Sequence, residues 1–158
     1  MNILEEDSLE LLKALSDNDV RFILVGGIAV NYYGYTRTTG DVDIWLEDTI
    51  ENRKKFVTAL EDYKIVGAEI YMDYPLIAGY AEIMMNNGVY LDVMADLTGF
   101  AQADFASCYD KSIDWEPVEG IHVKVLHINQ LIHEKEINNR LKDKDDAEQL
   151  KKIRDKSY

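Results

Sequence analysis

The sequence predicts an α/β (α+β) fold, a small mixed β-sheet with helices packed on one side of it, and three observations lead there. Short apolar runs of strand length alternate with longer stretches that carry apolar residues at helical spacing. The first apolar run ends in Gly26-Gly27, and the next ends beside Asp48-Thr49, a helix-capping pair. In mid-chain, Asn86-Asn87-Gly88 between two apolar stretches is a hairpin turn signal.

Taken in order, Leu9, Leu11, Leu12 and Leu15 predict a helix over about residues 5–17, closed by a turn at Asn18-Asp19. Val20 to Val25 is a buried strand, and a short helix follows from Gly27 to Gly34. Asp41 to Leu46 is the second strand. Asp48 or Thr49 caps a helix to about Asp62 that turns Phe56, Val57 and Leu60 inward. Glu69 to Tyr74 and Tyr80 to Met85 read as strands, and Val89 to Met94 continues from the hairpin turn. Residues 100–120 read as loop and short helix. Ile121 to Leu126 alternates in strand fashion, Asn129 caps a helix to about Asn138, and Asp143 caps a last helix to about Lys156.

At 158 residues the chain is expected to form one domain with a single core, without repeats, linkers or low-complexity stretches. Apolar residues make up 47% of it, which sets it apart from disordered chains, and no uninterrupted apolar run reaches the length of a membrane span. The first residues lack the basic and apolar regions of a signal peptide, and Cys108 stands alone, so a reducing cytoplasm is the expected compartment. The formal net charge of −13 opposes nonspecific binding to a phosphate backbone, while leaving room for a local basic patch that grips one RNA end.

The chemistry concentrates in one segment. It runs Phe22-Ile-Leu-Val-Gly26-Gly27, then a short helix and a polar turn, then Asp41-Val42-Asp43-Ile44. In a strand, residues i and i+2 share a face, so Asp41 and Asp43 project side by side. Crowded carboxylates repel, and a divalent cation is the usual way to keep both ionised. Oxygen ligands of this kind suit Mg²⁺, or Mn²⁺, which typically arrives with substrate phosphates. Gly26-Gly27 before a helix suits close approach of a phosphate to backbone N–H groups. Together these parts describe a site for a metal-bound nucleoside triphosphate (NTP).

This arrangement resembles the nucleotidyltransferase superfamily typified by DNA polymerase β, whose signature is a Gly-Gly or Gly-Ser pair followed after about ten residues by Asp-x-Asp. Arg37-Thr38 before the aspartates also recurs in small bacterial members. The C-terminal segment, with Lys135, Arg140, Lys142, Asp143, Asp146 and Leu150 in register, looks like the tail of small bacterial AbiE toxin-type nucleotidyltransferases. The resemblance implies the nucleotidyltransferase fold, closed by C-terminal helices. It also implies metal-dependent transfer of a nucleoside monophosphate from an NTP to an acceptor hydroxyl on a small molecule, a tRNA end or a protein, with release of pyrophosphate. Asp41 and Asp43 would hold the metal.

Such chemistry requires a third carboxylate from a neighbouring strand. Asp92, between apolar neighbours in the strand after the hairpin, is the expected one, with Asp96 its competitor and Asp73 and Glu82 further alternatives. Arg37 could grip a phosphate or simply pair with a carboxylate. Thr38 and Thr39 could contact phosphate or cap the turn. Lys135, Arg140 and Lys142 concentrate positive charge that could meet triphosphate or acceptor, or else close a helical turn in which Asp143 caps and Asp146 pairs with Arg140 or Lys142. Tyr32, Tyr33 and Tyr35 could stack on a base or pack in the core. His122, His127 and His133 have no zinc spacing and are expected at a strand edge or on the surface. No Walker-type loop or Ser-His-Asp signature is present. A site completed by a homodimer also fits the short chain. The competing reading is a non-catalytic regulatory or toxin–antitoxin-type binding module of the same fold.

Overall fold

A computed structural model of the chain describes residues 6–73 and 80–157. The expected helix start at residue 5 and Tyr74 lie outside the described residues. Helix α1 spans Glu6–Asp17 and buries Leu11, Leu12 and Leu15, with Leu9 half-buried beside them. Strand β1 (Phe22–Val25) leads into α2 (Gly26–Tyr32), and β2 (Val42–Leu46) leads into α3 (Ile50–Asp62). Thr49 caps α3 by accepting from the Asn52 N–H. Asn52 is itself buried and is satisfied by Arg21 and Glu47 backbone groups, which ties α3 to the start of the sheet. After α4 (Ile70–Asp73) come β3 (Tyr80–Met84), β4 (Tyr90–Met94), α5 (Phe105–Lys111), β5 (Ile113–Val118), β6 (Ile121–Val125), α6 (Ile128–Asn138) and α7 (Leu141–Lys156).

The six strands form one mixed sheet in the order β3-β4-β2-β1-β6-β5. The β1–β2, β3–β4 and β5–β6 pairs are antiparallel, whereas β1–β6 and β2–β4 are parallel. Cross-strand partners share a face. On that rule Phe22, Leu24, Ile44, Leu46, Leu91, Val93, Val123 and Val125 lie on one face, and all are buried; the paired helices α1 and α3 supply its cover. Ile23, Val25, Asp43, Trp45, Asp92 and Met94 lie on the other. Trp45 there packs against Phe100 and against Phe105 of α5, and its indole N–H donates to the Ala95 carbonyl at 2.7 Å. Helices are therefore not confined to one side. The second face is apolar at its centre and acidic where β2 and β4 meet.

Four local expectations are corrected. Glu69–Asp73 is not a strand: α4 forms through i→i+3 bonds such as Ile70 N–H to Gly67 O and Tyr71 N–H to Ala68 O. Three consecutive apolar residues do not distinguish the two states, and the local bonds decide. Residues 113–118, read as loop, are the edge strand β5. Half-buried Ile113, Trp115 and Pro117 alternate with exposed Asp114, Glu116 and Val118, and the register shifts between Trp115 and Val118, where an edge strand tolerates the proline. Helix α6 is capped by His127, whose Nδ1 accepts from Asn129 N–H at 3.1 Å, rather than by Asn129. Arg140 is the residue before α7, and Asp143 serves from the third position by accepting the Arg140 N–H. No helix among the described residues is long and apolar enough to cross a membrane.

Candidate active site

Gly26, the first residue of α2, has φ +64, and a Cβ there would stand 2.0 Å from Asp43 Oδ2. Glycine is required twice over at this position, by the left-handed backbone and by the carboxylate pressed against it. Gly27 has no unusual backbone but faces the Thr39 side chain, whose Oγ1 would lie 2.4 Å from an added Cβ. The two glycines thus let the β1–α2 turn and the Arg37–Asp43 segment approach closely.

Parallel pairing of β2 with β4 puts Asp43 directly opposite Asp92. Burial first, and then a hydrogen bond and charge repulsion from Asp92, push the Asp43 carboxyl up to about 7. Two carboxylates set side by side repel each other, which raises the cost of ionising Asp43. Tyr80 OH donates to Asp92 Oδ1 at 3.0 Å, fixing the acid from the edge strand, and Glu82 is the cross-strand partner of Asp92 on β3. Asp41 Oδ1 lies 3.4 Å from the Tyr90 N–H. Asp96 stands apart, accepting from Gln102 N–H beyond the end of β4. Of the candidates for a third acid, Asp92 is the one beside Asp43; the Asp73 side chain lies outside those described.

These acids form one end of a cleft of about 460 Å³. Gly26, Gly27, Arg37, Thr38, Asp41, Asp43, Asp92, Lys135, Arg140 and Lys142, widely spaced in the chain, all line it. Thr39, Leu97, Thr98, Glu134 and Asn138 line it too, and sequence reasoning gave them no site role beyond a phosphate contact for Thr39. Glu134 adjoins the expected Lys135, but nothing in a helical sequence shows which of two neighbouring charges turns inward.

Three of the basic residues, Arg37, Lys135 and Arg140, are already engaged. Arg37 forms a two-pronged pair with buried Asp146, Nε to Oδ1 at 2.8 Å and Nη2 to Oδ2 at 2.9 Å, and Asn31 bonds its backbone on both sides. Its guanidinium also reaches the Thr38 carbonyl. Lys135 is buried, with its ammonium 3.5 to 3.8 Å from Asp143, Asp146 and Glu134. Arg140 pairs with Asp143 at 2.6 Å. Burial pushes the Asp143 carboxyl up, but the Arg140 hydrogen bond and the Lys135 charge outweigh it and hold the group below its ordinary value. Asp146 therefore pairs with Arg37 and Lys135, not with Arg140 or Lys142. Glu134 is buried and its carboxyl is raised, chiefly by desolvation. Its Oε1 accepts from Asn138 at 2.6 Å, while its buried Oε2 has no hydrogen-bond partner.

Of the two roles open to Tyr32, Tyr33 and Tyr35, all three take packing against the core. Tyr32 meets Tyr33 and Trp115, Tyr33 OH donates to the Leu126 carbonyl, and Tyr35 OH bonds Asp145; none lines the cleft. His122 sits by Glu116 on the surface and His133 packs on Phe100.

Among the described residues, no group of three or more His, Cys, Asp or Glu is arranged to hold a metal ion. The expected cluster of Asp41, Asp43 and Asp92 is thus not assembled. Asp43 faces Asp92 across the strands, while Asp41 Oδ1 lies towards the β4 backbone at Tyr90 N–H. In kind the donors still fit a hard divalent cation. All three are carboxylates, and two of them, Asp43 and Asp92, are direct cross-strand partners. Comparison with protein-family models and with curated proteins returns no match.

Proposed function

We propose that the protein is a metal-dependent nucleotidyltransferase, moving a nucleoside monophosphate from an NTP to an acceptor hydroxyl and releasing pyrophosphate. The observation that carries this reading is the cleft itself. Strand register sets Asp43 against Asp92, Gly26 leaves bare backbone over Asp43, and Lys135, Arg140 and Lys142 line the same cavity. Diglycine, paired acids and nearby cations are the parts that phosphoryl transfer uses, since such catalysis is mostly positioning and charge neutralisation.

Asp43 and Asp92, joined by Asp41, would hold Mg²⁺ or Mn²⁺. The bound ion would neutralise the triphosphate and acidify the acceptor hydroxyl. Gly26 and Gly27 admit the phosphates close to the backbone. Lys135, buried and near enough to influence Asp43, supplies fixed positive charge, while exposed Arg140 and Lys142 draw the triphosphate in. Asp92, steadied by Tyr80 OH, is placed to receive the acceptor's proton as its oxygen bonds the α-phosphorus and the bond to the bridging oxygen breaks. Arg37 acts as a positioning residue, because Asp146 occupies its guanidinium.

The test is a thermal-shift titration with each of the four NTPs, with and without Mg²⁺, on the wild type and on Asp41→Asn/Asp43→Asn. A ligand at a hundred times its Kd stabilises by about 2.7 kcal/mol. At this chain length that is a rise of roughly 5–10 °C. A metal-dependent rise absent from the variant is the expected result. No rise with any nucleotide would refute the reading in favour of a non-catalytic binding module.

A further inference from the structure

The same cleft is lined by Met94, Leu97 and Thr98 and by Glu134 and Asn138 of α6, none of which the phosphate-binding parts use. Glu134 and Asn138 are four residues apart and so share a helix face; the Asn138 amide donates to Glu134 Oε1. The other oxygen, Oε2, is screened from water and has no hydrogen-bond partner, and the Lys135 ammonium stands 3.8 Å away. A buried carboxylate oxygen without a donor is costly, and a ligand that brings one would offset the cost. A partial turn about the last side-chain bond would bring Oε2 to the cleft that Glu134 lines. A buried carboxylate beside Met94 and Leu97 repels phosphate and suits the uncharged, donor-bearing part of a ligand.

We propose that Glu134 and Asn138 form the nucleoside-reading end of this cleft and select nucleotides that present paired hydrogen-bond donors to the Glu134 carboxylate. The inference rests on the nucleotidyltransferase reading. Two parts of a nucleotide carry such donors: the cis-diol of ribose, and the adjacent ring N–H and amino group of guanine. Selection arises because a nucleotide without the donors leaves the buried oxygen bare, a penalty that apolar contacts do not replace.

Direct calorimetry with Mg²⁺ tests it, using ATP, GTP, CTP, UTP, their 2′-deoxy forms and inorganic tripolyphosphate on the wild type, Glu134→Gln and Asn138→Ala. The wild type should prefer one class by about tenfold or more. Glu134→Gln should flatten that preference to within about threefold, with each NTP affinity read relative to tripolyphosphate, whose binding also reports an intact fold. Asn138→Ala should weaken the preference in the same sense. Flattening between ribo- and deoxynucleotides identifies the diol; flattening between bases identifies guanine. A wild type that binds nucleotides without preference, or a preference that survives Glu134→Gln, overturns the inference and leaves the nucleotidyltransferase reading standing. Equal weakening of tripolyphosphate and NTPs in Glu134→Gln also overturns it, by showing that Glu134 acts on the phosphates through Lys135. If neither NTPs nor tripolyphosphate bind the wild type, the nucleotidyltransferase reading falls and this inference with it.

Discussion

Replacing Asp43 with asparagine should make the metal-free protein more stable at pH 8, although Asp43 is central to the candidate site. The carboxyl is raised from an ordinary aspartate value to about 7 by burial and by Asp92. Between the unfolded and folded pKa values the native state binds more protons than the unfolded chain. Stability is therefore fullest below about pH 4, falls as pH rises, and levels off above about pH 7. A window of about three pH units at 1.36 kcal/mol each sets a ceiling of about 4 kcal/mol on the strain of the ionised pair. Because the amide introduced by Asp43→Asn is itself polar and must still be buried, about 3 kcal/mol is the expected gain, or roughly 6–12 °C at this length. Thermal unfolding in a chelator from pH 5 to pH 8 reads it. The wild type should lose stability across that range and Asp43→Asn should be nearly flat; Mg²⁺ at pH 8 should restore the wild type only. A variant no more stable than the wild type at pH 8, or one that keeps the wild-type slope, would refute the argument.

Two further substitutions address the frame around the acids. Gly26→Ala meets both a left-handed backbone and Asp43 Oδ2 at 2.0 Å, so a loss of at least about 3 kcal/mol is expected by urea unfolding. Gly67→Ala, with φ +80 but nothing within 4 Å, should cost only about 1–2 kcal/mol of backbone strain, and equal losses would show that crowding is irrelevant. Asp146→Ala leaves Arg37 and the buried Lys135 short of a partner and should cost about 3–5 kcal/mol in the same assay. A loss under about 1 kcal/mol would mean that water replaces the carboxylate and that the clasp between the Arg37 loop and α7 is incidental.

Much of this molecule was legible in the chain. Apolar periodicity located α1, β1, β2, α3, β4 and β6 within a few residues, because these elements bury one face or run straight through the core. Asn86-Asn87-Gly88 located the β3–β4 turn, because only certain residues close a hairpin. Motif spacing brought Gly26, Gly27, Asp41 and Asp43 to attention, and all four line the same cleft. Where the sequence misled, local signals were balanced or interrupted, as at Glu69–Asp73 and at Pro117 in β5.

Tertiary structure decided the rest. Asp92 rather than Asp96 stands beside Asp43 because β2 pairs with β4 in parallel, and the register between strands nearly fifty residues apart is written in no local pattern. Arg37 pairs with Asp146 across 109 positions, so a side chain that could have gripped phosphate became a clasp. Glu134 is buried with a bare oxygen only because α6 closes over the cleft. Helical and strand periodicity determine which groups a face can offer; which charges meet, and which are left without a partner, depends on how those faces pack.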